Sequence, residues 1–226
     1  LVRQGAASIR DLLLMFDVSE ETVRKDLIAM EQQKILIRRH GSVELASRGS
    51  EATVDIRAAE NLKAKERIAA AAAGLIPLKD GDVIALDSGS TTWCLAKLLA
   101  QRKGQTIVTH SMKIADVFAQ SPAANDVYCA GGLLRGLDKS FYGPWTFRSL
   151  SSIHSTVAVL ATNGVRNRDG VGAVSYEDAD VKRAYAHNSQ RNIAIFDSSK
   201  FATGTLLEAA GHTVFTPRLS PQPGWA

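Results

Sequence analysis

The sequence predicts an α/β protein: a parallel-sheet domain preceded by a small helix-turn-helix domain with a wing. Three observations carry that reading. From Val83 onward, short apolar runs alternate with helical stretches, the pattern of a parallel sheet covered on both faces. A polar segment rich in Gly, Ser and Thr follows one apolar run after another. In the first 48 residues, two short amphipathic stretches are followed by a basic hairpin pattern.

The bulk composition fits this outline and excludes others. A chain of 226 residues that is 45% hydrophobic and 22% charged can bury a sizeable core in one large or two unequal domains. The longest strongly apolar runs, such as Thr156–Thr162, are too short to span a bilayer, so no membrane partner is expected. Cys94 and Cys129 cannot build a disulfide scaffold, and no Cys/His spacing fits a zinc site. Both cysteines read as core residues, no metal or cofactor is expected, and a cytoplasmic location fits. The net charge of +4 is a poor guide to partners. Residues 1–48 carry eight Lys/Arg against seven Asp/Glu, so the placement of the charges matters more than their sum.

The chain opens at Leu1 inside what reads as the end of a helix, so its natural start is expected to lie further upstream. Ser8 is a good N-cap with Asp11 three residues on, an arrangement like a capping box. The apolar Leu12, Leu13, Leu14 and Phe16 then make a short helix ending near Asp17. Ser19 is a second N-cap, with Glu20 and Glu21 in a first turn where the helix dipole favours negative charge. Val23, Leu27 and Met30 define its apolar face, and Thr22, Arg24 and Lys25 lie around the other side. Ile35–Leu45 reads as a hairpin turning at Gly41, with Arg38, Arg39 and His40 at its tip, fit to lie along a phosphate backbone. By pattern alone, Ser19–Glu31 also fits an ordinary amphipathic surface helix, with Arg38-Arg39 a solvated pair.

The particular residues go further. Asp17-Val18-Ser19-Glu20-Glu21-Thr22-Val23-Arg24-Lys25-Asp26-Leu27, followed by Leu36-Ile37-Arg38-Arg39-His40-Gly41-Ser42, resembles the helix-turn-helix and wing of the DeoR family of bacterial transcriptional regulators. Ser42 stands where that family's wing usually has a second glycine. The resemblance implies a double-stranded DNA operator as partner, with Ser19, Thr22, Arg24, Lys25, Arg38, Arg39 and His40 as DNA-binding residues.

Residues 1–48 are therefore expected to form the DNA-binding domain, 49–60 a small polar linker, 61–216 the large α/β domain and 217–226 a proline-rich loose tail. Asn61–Ile76 is alanine-rich and stops before Pro77, so it should be helical. It fits equally a dimer contact and a helix packed on its own sheet. Strands are expected at Val83–Leu86, Thr106–Thr109, Asp126–Ala130, Thr156–Ala161 and Asn192–Phe196, with a further one at His212–Phe215. Helices are expected at Thr92–Gln101, Met112–Gln120 and Glu177–Asn188.

In open α/β sheets ligands bind outside the carboxyl ends of the strands, where this chain concentrates its polar residues. Asp87, Ser88, Gly89, Ser90, Thr91 and Thr92 follow the first strand, Thr109 and His110 the second, and Gly131 and Gly132 the third. Asn163 follows the fourth, and Asp197 and Lys200 the fifth. The first of these segments is a small-residue turn opening a helix, whose free N–H groups, hydroxyls and dipole suit a phosphate. Lys200 offers a cation to the same anion, and Asp87 and Asp197 could accept bonds from sugar hydroxyls. Any one such loop is plain turn chemistry; all five together point to one composite site.

This half is also similar to the DeoR sensor domain, which is related to sugar-phosphate isomerases of the ribose-5-phosphate isomerase type. The likeness rests on Lys65–Ile76, Val83–Thr92, Val108-Thr109, Gly131-Gly132, Tyr142-Gly143-Pro144, Glu177–Ala186 and Asp197–Phe201, with His110 where the family usually has Asn. It implies a phosphorylated sugar as effector, control of carbohydrate genes, action more as repressor than activator, and a homo-oligomer. Two other readings compete. One is a sugar-phosphate isomerase or kinase, where isomerisation would need a general base, for which Asp87 and Glu177 are the candidates. The other is a sensor-only fragment that binds metabolite but, with its start missing, binds DNA poorly.

Overall fold

In the computed structural model, the residues described are 6–16, 18–32, 36–39, 42–45, 53–76, 79, 81–165, 170–202 and 207–210. The chain divides into two compact units, Leu1–Ile56 and Arg57–Ala226.

The first unit runs β1 (Ala6–Ser8), α1 (Ile9–Phe16), α2 (Glu20–Gln32), β2 (Leu36–Arg39) and β3 (Ser42–Leu45). Each helix starts where its cap places it. The Ser8 hydroxyl accepts from the Asp11 amide at 3.1 Å while the Asp11 carboxylate accepts from the Ser8 amide and hydroxyl. Those bonds hold the Asp11 carboxyl below its ordinary pKa. The Ser19 hydroxyl accepts from the Thr22 amide at 3.2 Å. The strands form an antiparallel sheet in the order β1-β3-β2, with Leu36 paired to Leu45 and Arg39 to Ser42. Leu12, Val23, Leu27, Leu36 and Val43 close a small core. Met30, expected on that apolar face, is 41% exposed, because the core is filled by the turn that carries Val23 and Leu27.

The second unit holds a five-stranded, all-parallel sheet in the order β11-β9-β4-β5-β6: β4 (Val83–Leu86), β5 (Thr106–Thr109), β6 (Asp126–Cys129), β9 (Ser155–Leu160) and β11 (Ser189–Ala194). One face packs against α4 (Leu62–Leu75), α5 (Ser90–Leu99) and α6 (Met112–Ala119) through Ile68, Ala72, Ile84, Leu95, Ile107 and Ile114. The other packs against α7 (Pro144–Ser151) and α8 (Tyr176–His187) through Ala85, Val108, Leu150, Ala158, Leu160 and Val181. Burial on both faces is why the inner strands read as unbroken apolar runs.

Several elements depart from expectation. Part of the linker is helical, as α3 (Val54–Ala59). Helix α4 buries its alanine face in its own unit, the second of the two readings open for it. Strand β11 begins at Ser189, three residues early, because Ser189 pairs with Ser155 through backbone register and a hydroxyl–hydroxyl contact. The β7–β8 hairpin (Leu133–Arg135 with Ser140–Tyr142), helix α7, and the antiparallel pair β10–β12 (Val171–Ala173 with Leu207–Ala210) were not anticipated. Cys94 is buried as expected, but Cys129 is exposed, because β6 is the edge strand and its far side has no covering strand among the described residues. The strand expected at His212–Phe215 and the tail 217–226 lie outside the described residues, as does the start of the linker, 49–52. No helix of the described residues is long and apolar enough to cross a membrane.

Candidate effector site and DNA-binding face

The loops at the carboxyl ends of β4, β5, β6, β9 and β11 come to one edge of the sheet, since all five strands run the same way. The strand β4 to helix α5 turn is the centre of this edge. Gly89 is the N-cap of α5, at φ 152°. A Cβ there would come within 2.6 Å of Ala161 Cβ, so only glycine fits. The consequence is chemical. In α1, α2, α6 and α8 the caps Ser8, Ser19, Ser111 and Ser175 accept from a first-turn amide. In α5 the cap has no side chain to do so, and the first-turn N–H groups keep their unspent positive ends. Ser88, Ser90 and Thr91 surround them with hydroxyls. The Thr92 hydroxyl is already used, donating to the Gly89 carbonyl at 3.0 Å.

Beneath this turn lies a layer of buried charge. Asp87 was expected to accept from sugar hydroxyls, but its carboxylate is wholly enclosed and already serves the protein. One oxygen accepts from the Lys182 ammonium at 2.8 Å and the Ala161 amide at 3.0 Å; the other accepts from the Ser88 amide at 2.8 Å. Lys182, only 2% exposed, also donates to Asp178 at 2.7 Å. Burial, only partly offset by the Lys182 charge, leaves the Asp87 carboxyl raised to about 6, so it is ionised at neutral pH. Burial alone would lower the Lys182 pKa, but Asp178 and Asp87 outweigh it and raise it.

His110 and Thr109 also lie in this hidden layer. The Thr109 hydroxyl donates to the Leu86 carbonyl at 2.8 Å. His110 Nδ1 is 2.9 Å from the Tyr185 hydroxyl, and Nε2 is 3.9 Å from Asp87. Burial, then the Lys182 charge, hold its pKa down to about 3, so the ring is neutral.

The remaining expected residues are spread around the rim. Gly131 is exposed; Gly132, Asn163 and Lys200 are half-buried. Gly132 cannot carry a side chain: its Cβ would meet Thr146 Oγ1 at 2.1 Å and the Tyr142 carbonyl at 2.6 Å. Asp197 is buried and accepts from the Ser199 amide and hydroxyl, so its carboxylate also serves its own loop.

Two groups near the site escaped the sequence reading. The β7–β8 hairpin carries Arg135 and Asp138, which bond each other and the Tyr142 hydroxyl; that hydroxyl lies 3.4 Å from Ser88 Oγ. Burial raises the Asp138 pKa, but the bonds from Arg135 and Tyr142 outweigh it and lower the carboxyl. Lys65, in the first turn of α4, is buried and donates to the Arg57 and Glu60 carbonyls at the end of α3. The spacing Asp178, Val181, Lys182, Tyr185 places two charges on one buried helix face, a signal that was available in the sequence. Glu177, the base considered for an isomerase, is exposed instead.

In the first unit, α2 presents Ser19, Thr22, Arg24 and Lys25 to solvent. Arg24 pairs with Glu20 and Lys25 with Glu21, each at 2.8 Å and more than half exposed. Arg38 and Arg39 lie on β2 opposite Val43 and Ser42. Their side chains, and all of His40, lie outside the described residues.

A capped helix pair with a strand hairpin, followed by an α/β unit with a loop cluster at its strand ends, has the architecture of a two-part transcriptional regulator. Comparison with known proteins agrees. Residues 1–48 match the DeoR-like helix-turn-helix domain, and residues 60–216 match the DeoR C terminal sensor domain. The L-fucose operon activator of Haemophilus influenzae is 30% identical, over 97% of this chain and 88% of its own. The glycerol-3-phosphate regulon repressor of Escherichia coli K12 is 28% identical, over 91% of this chain and 80% of its own. Ribose 5-phosphate isomerase A of Methanocaldococcus jannaschii superposes with a TM-score of 0.45 at 16% identity, over 64% of this chain and 56% of that one. The chain belongs to the DeoR family of transcriptional regulators.

Proposed function

We propose that this chain is a repressor of carbohydrate genes whose grip on operator DNA weakens when a phosphorylated sugar occupies the sensor unit. Helix α2 enters the major groove, with Thr22, Arg24 and Lys25 near bases and phosphates and Ser19 at its N-terminus. Arg38, Arg39 and His40 on the wing follow the backbone. The sugar's phosphate sits on the first turn of α5 among Ser88, Gly89, Ser90, Thr91 and Thr92, with Lys200 as counter-charge. Thr109, His110, Gly131, Gly132, Asn163 and Asp197 line or support the remainder, and Asp87 holds the turn from beneath.

The observation that carries this reading is the cap of α5. Four helices have a serine accepting from the first turn. Helix α5, like α7 at Gly143, has a glycine cap, but α5 alone of the two opens from the central strand β4 within the loop cluster, where its first-turn amides have no side-chain acceptor and suit an external anion. A thermal-shift screen against pentose, hexose and triose phosphates tests it. A binding sugar phosphate should raise the melting temperature, its unphosphorylated parent should not, and Gly89→Ala should abolish the shift. DNA selected from a random pool should then dissociate as that compound is added. A panel that leaves the melting temperature unchanged, or selected DNA indifferent to the binding compound, would remove the proposal.

A further inference from the structure

We propose that Arg135, on the β7–β8 hairpin, is an effector-binding residue whose guanidinium takes the phosphate from the β5 side of the α5 turn. Lys200, which follows β11, lies beyond β9 on the other side. The proposal rests on the reading of that turn as a phosphate cradle and adds to it a second cation.

The hairpin is a fixed platform beside the turn. Its second strand docks on the residues that follow β5. The Phe141 amide donates to the His110 carbonyl at 2.8 Å, the Met112 amide donates to the Lys139 carbonyl at 2.9 Å, and Ser140 bridges to Ser111. Strand β5 pairs with β4 up to Thr109 and Leu86, so the hairpin stands next to the segment that leaves β4. Inward from Arg135 the packing is layered. Arg135 Cζ lies 4.3 Å from the centre of the Tyr142 ring, and that ring meets His110 edge-on at 5.4 Å. A guanidinium laid on an aromatic face and clasped by a carboxylate has little freedom left to lose on binding.

The hydrogen bonds bring the cation to the turn. Tyr142 donates its one proton to Asp138 at 2.6 Å and accepts from Arg135 Nη2 at 3.0 Å. In its contact with the Ser88 hydroxyl at 3.4 Å it can therefore only accept. Arg135 Nη2 and Ser88 Oγ are separated by no more than these two contacts laid end to end. One phosphate bridges such a gap by accepting from both. The Ser88 contact is long, so a phosphate oxygen at an ordinary distance takes over its proton. Within the ion pair, the Asp138 side chain is 2% exposed and that of Arg135 29%. An incoming anion thus meets the cation, while the carboxylate that orients it is shut away. The charge beneath the turn cannot play this part, because Lys182 is held by Asp87 and Asp178.

Inorganic phosphate is the probe, read as the rise in melting temperature of the full chain against sodium chloride of equal ionic strength. The wild type should respond saturably. Arg135→Gln should bind phosphate about tenfold more weakly or worse, as the loss of a charged hydrogen bond requires. Arg135→Lys keeps the charge without the fork and should recover part of the affinity. Arg135→Gln leaves Asp138 buried without its cation, so the double variant Arg135→Gln/Asp138→Asn serves if the single one does not fold. Urea unfolding without phosphate reports any loss of hairpin stability separately from binding. Wild-type phosphate affinity in a folded Arg135→Gln or double variant would overturn the role of Arg135 and leave the α5 cradle standing. So would an Arg135→Lys that binds no better than Arg135→Gln. A wild type indifferent to phosphate would remove the cradle and this proposal together.

Discussion

The two units use charge in opposite ways. On α2, Arg24 and Lys25 hold glutamates one turn back on an open surface, each member of the pairs more than half exposed. In the sensor unit, Lys182 holds Asp87 and Asp178 with almost no exposure. Exposed i,i+4 pairs contribute a few tenths of a kcal/mol and are screened by salt. A helix carrying them can exchange a carboxylate for a DNA phosphate at little cost. A buried triad has no such freedom, since losing one member strands the others away from water. Surface charge here is available for exchange with a partner, and buried charge fixes the shape of a loop.

Removing the buried cation should break the comparison most severely. Lys182→Met leaves two enclosed carboxylates unpaired and should destabilise the sensor unit by about 3–5 kcal/mol. Urea unfolding followed by tryptophan fluorescence reads that unit alone, because Trp93, Trp145 and Trp225 all fall within it. Acid should separate the buried groups next. His110 falls from 6.5 to about 3 on folding, so its contribution is present above 6.5 and is lost as pH drops towards 3. Asp87 rises from 3.8 to about 6, so its contribution is present below 3.8 and is lost as pH rises through 6. The two slopes oppose each other between about pH 6 and 3.8, so the wild type should change little there and weaken mainly below about 3.8, where His110 titrates alone. His110→Asn should remove that loss and leave the Asp87 gain visible as pH falls from about 6 to 3.8; an unchanged acid limb would contradict the assignment.

Smaller effects follow. Gly132→Ala should cost about 1–3 kcal/mol through overlap with Thr146 and the Tyr142 carbonyl, read in the same urea assay. Ser19→Ala should cost about 1 kcal/mol in the first unit by losing the α2 cap, visible in hydrogen exchange of the α2 amides. Arg24→Ala should sharpen the contrast from the other side. Its effect on stability should stay below about 0.5 kcal/mol, while the slope of DNA affinity against salt falls by roughly one. A stability loss as large as that of Lys182→Met would mean that α2 is structural.

Much of this molecule was legible in the residue order, and the exceptions have physical causes. The caps at Ser8 and Ser19, the apolar strands β4, β5 and β9 and the loops at their ends are local signals, set by side chains a few positions apart. The β7–β8 hairpin was missed because Arg135, Asp138 and Tyr142 are polar and satisfy one another only once the turn exists. Asp87 was legible as a functional position, and the Asp178–Lys182 pair on the apolar Val181/Tyr185 face was a signal for buried charge. Which carboxylate it would join was not legible until the fold places Ala161 and Asp87 over it. Cys129 was misread as core because the sequence does not say which strand takes the edge.

The bond between Lys182 and Asp87 spans 95 residues of chain. Contacts so distant in sequence form late, since the loop they close must lose its freedom first. A growing chain that has emerged only as far as β9 already has the glycine-capped turn but not the ammonium that lets its carboxylate be buried. The glycine-capped turn is therefore among the last parts to set. A chain whose synthesis stops short of α8 cannot hold that turn in place, so the ordered turn is itself a sign that α8 has been made and packed.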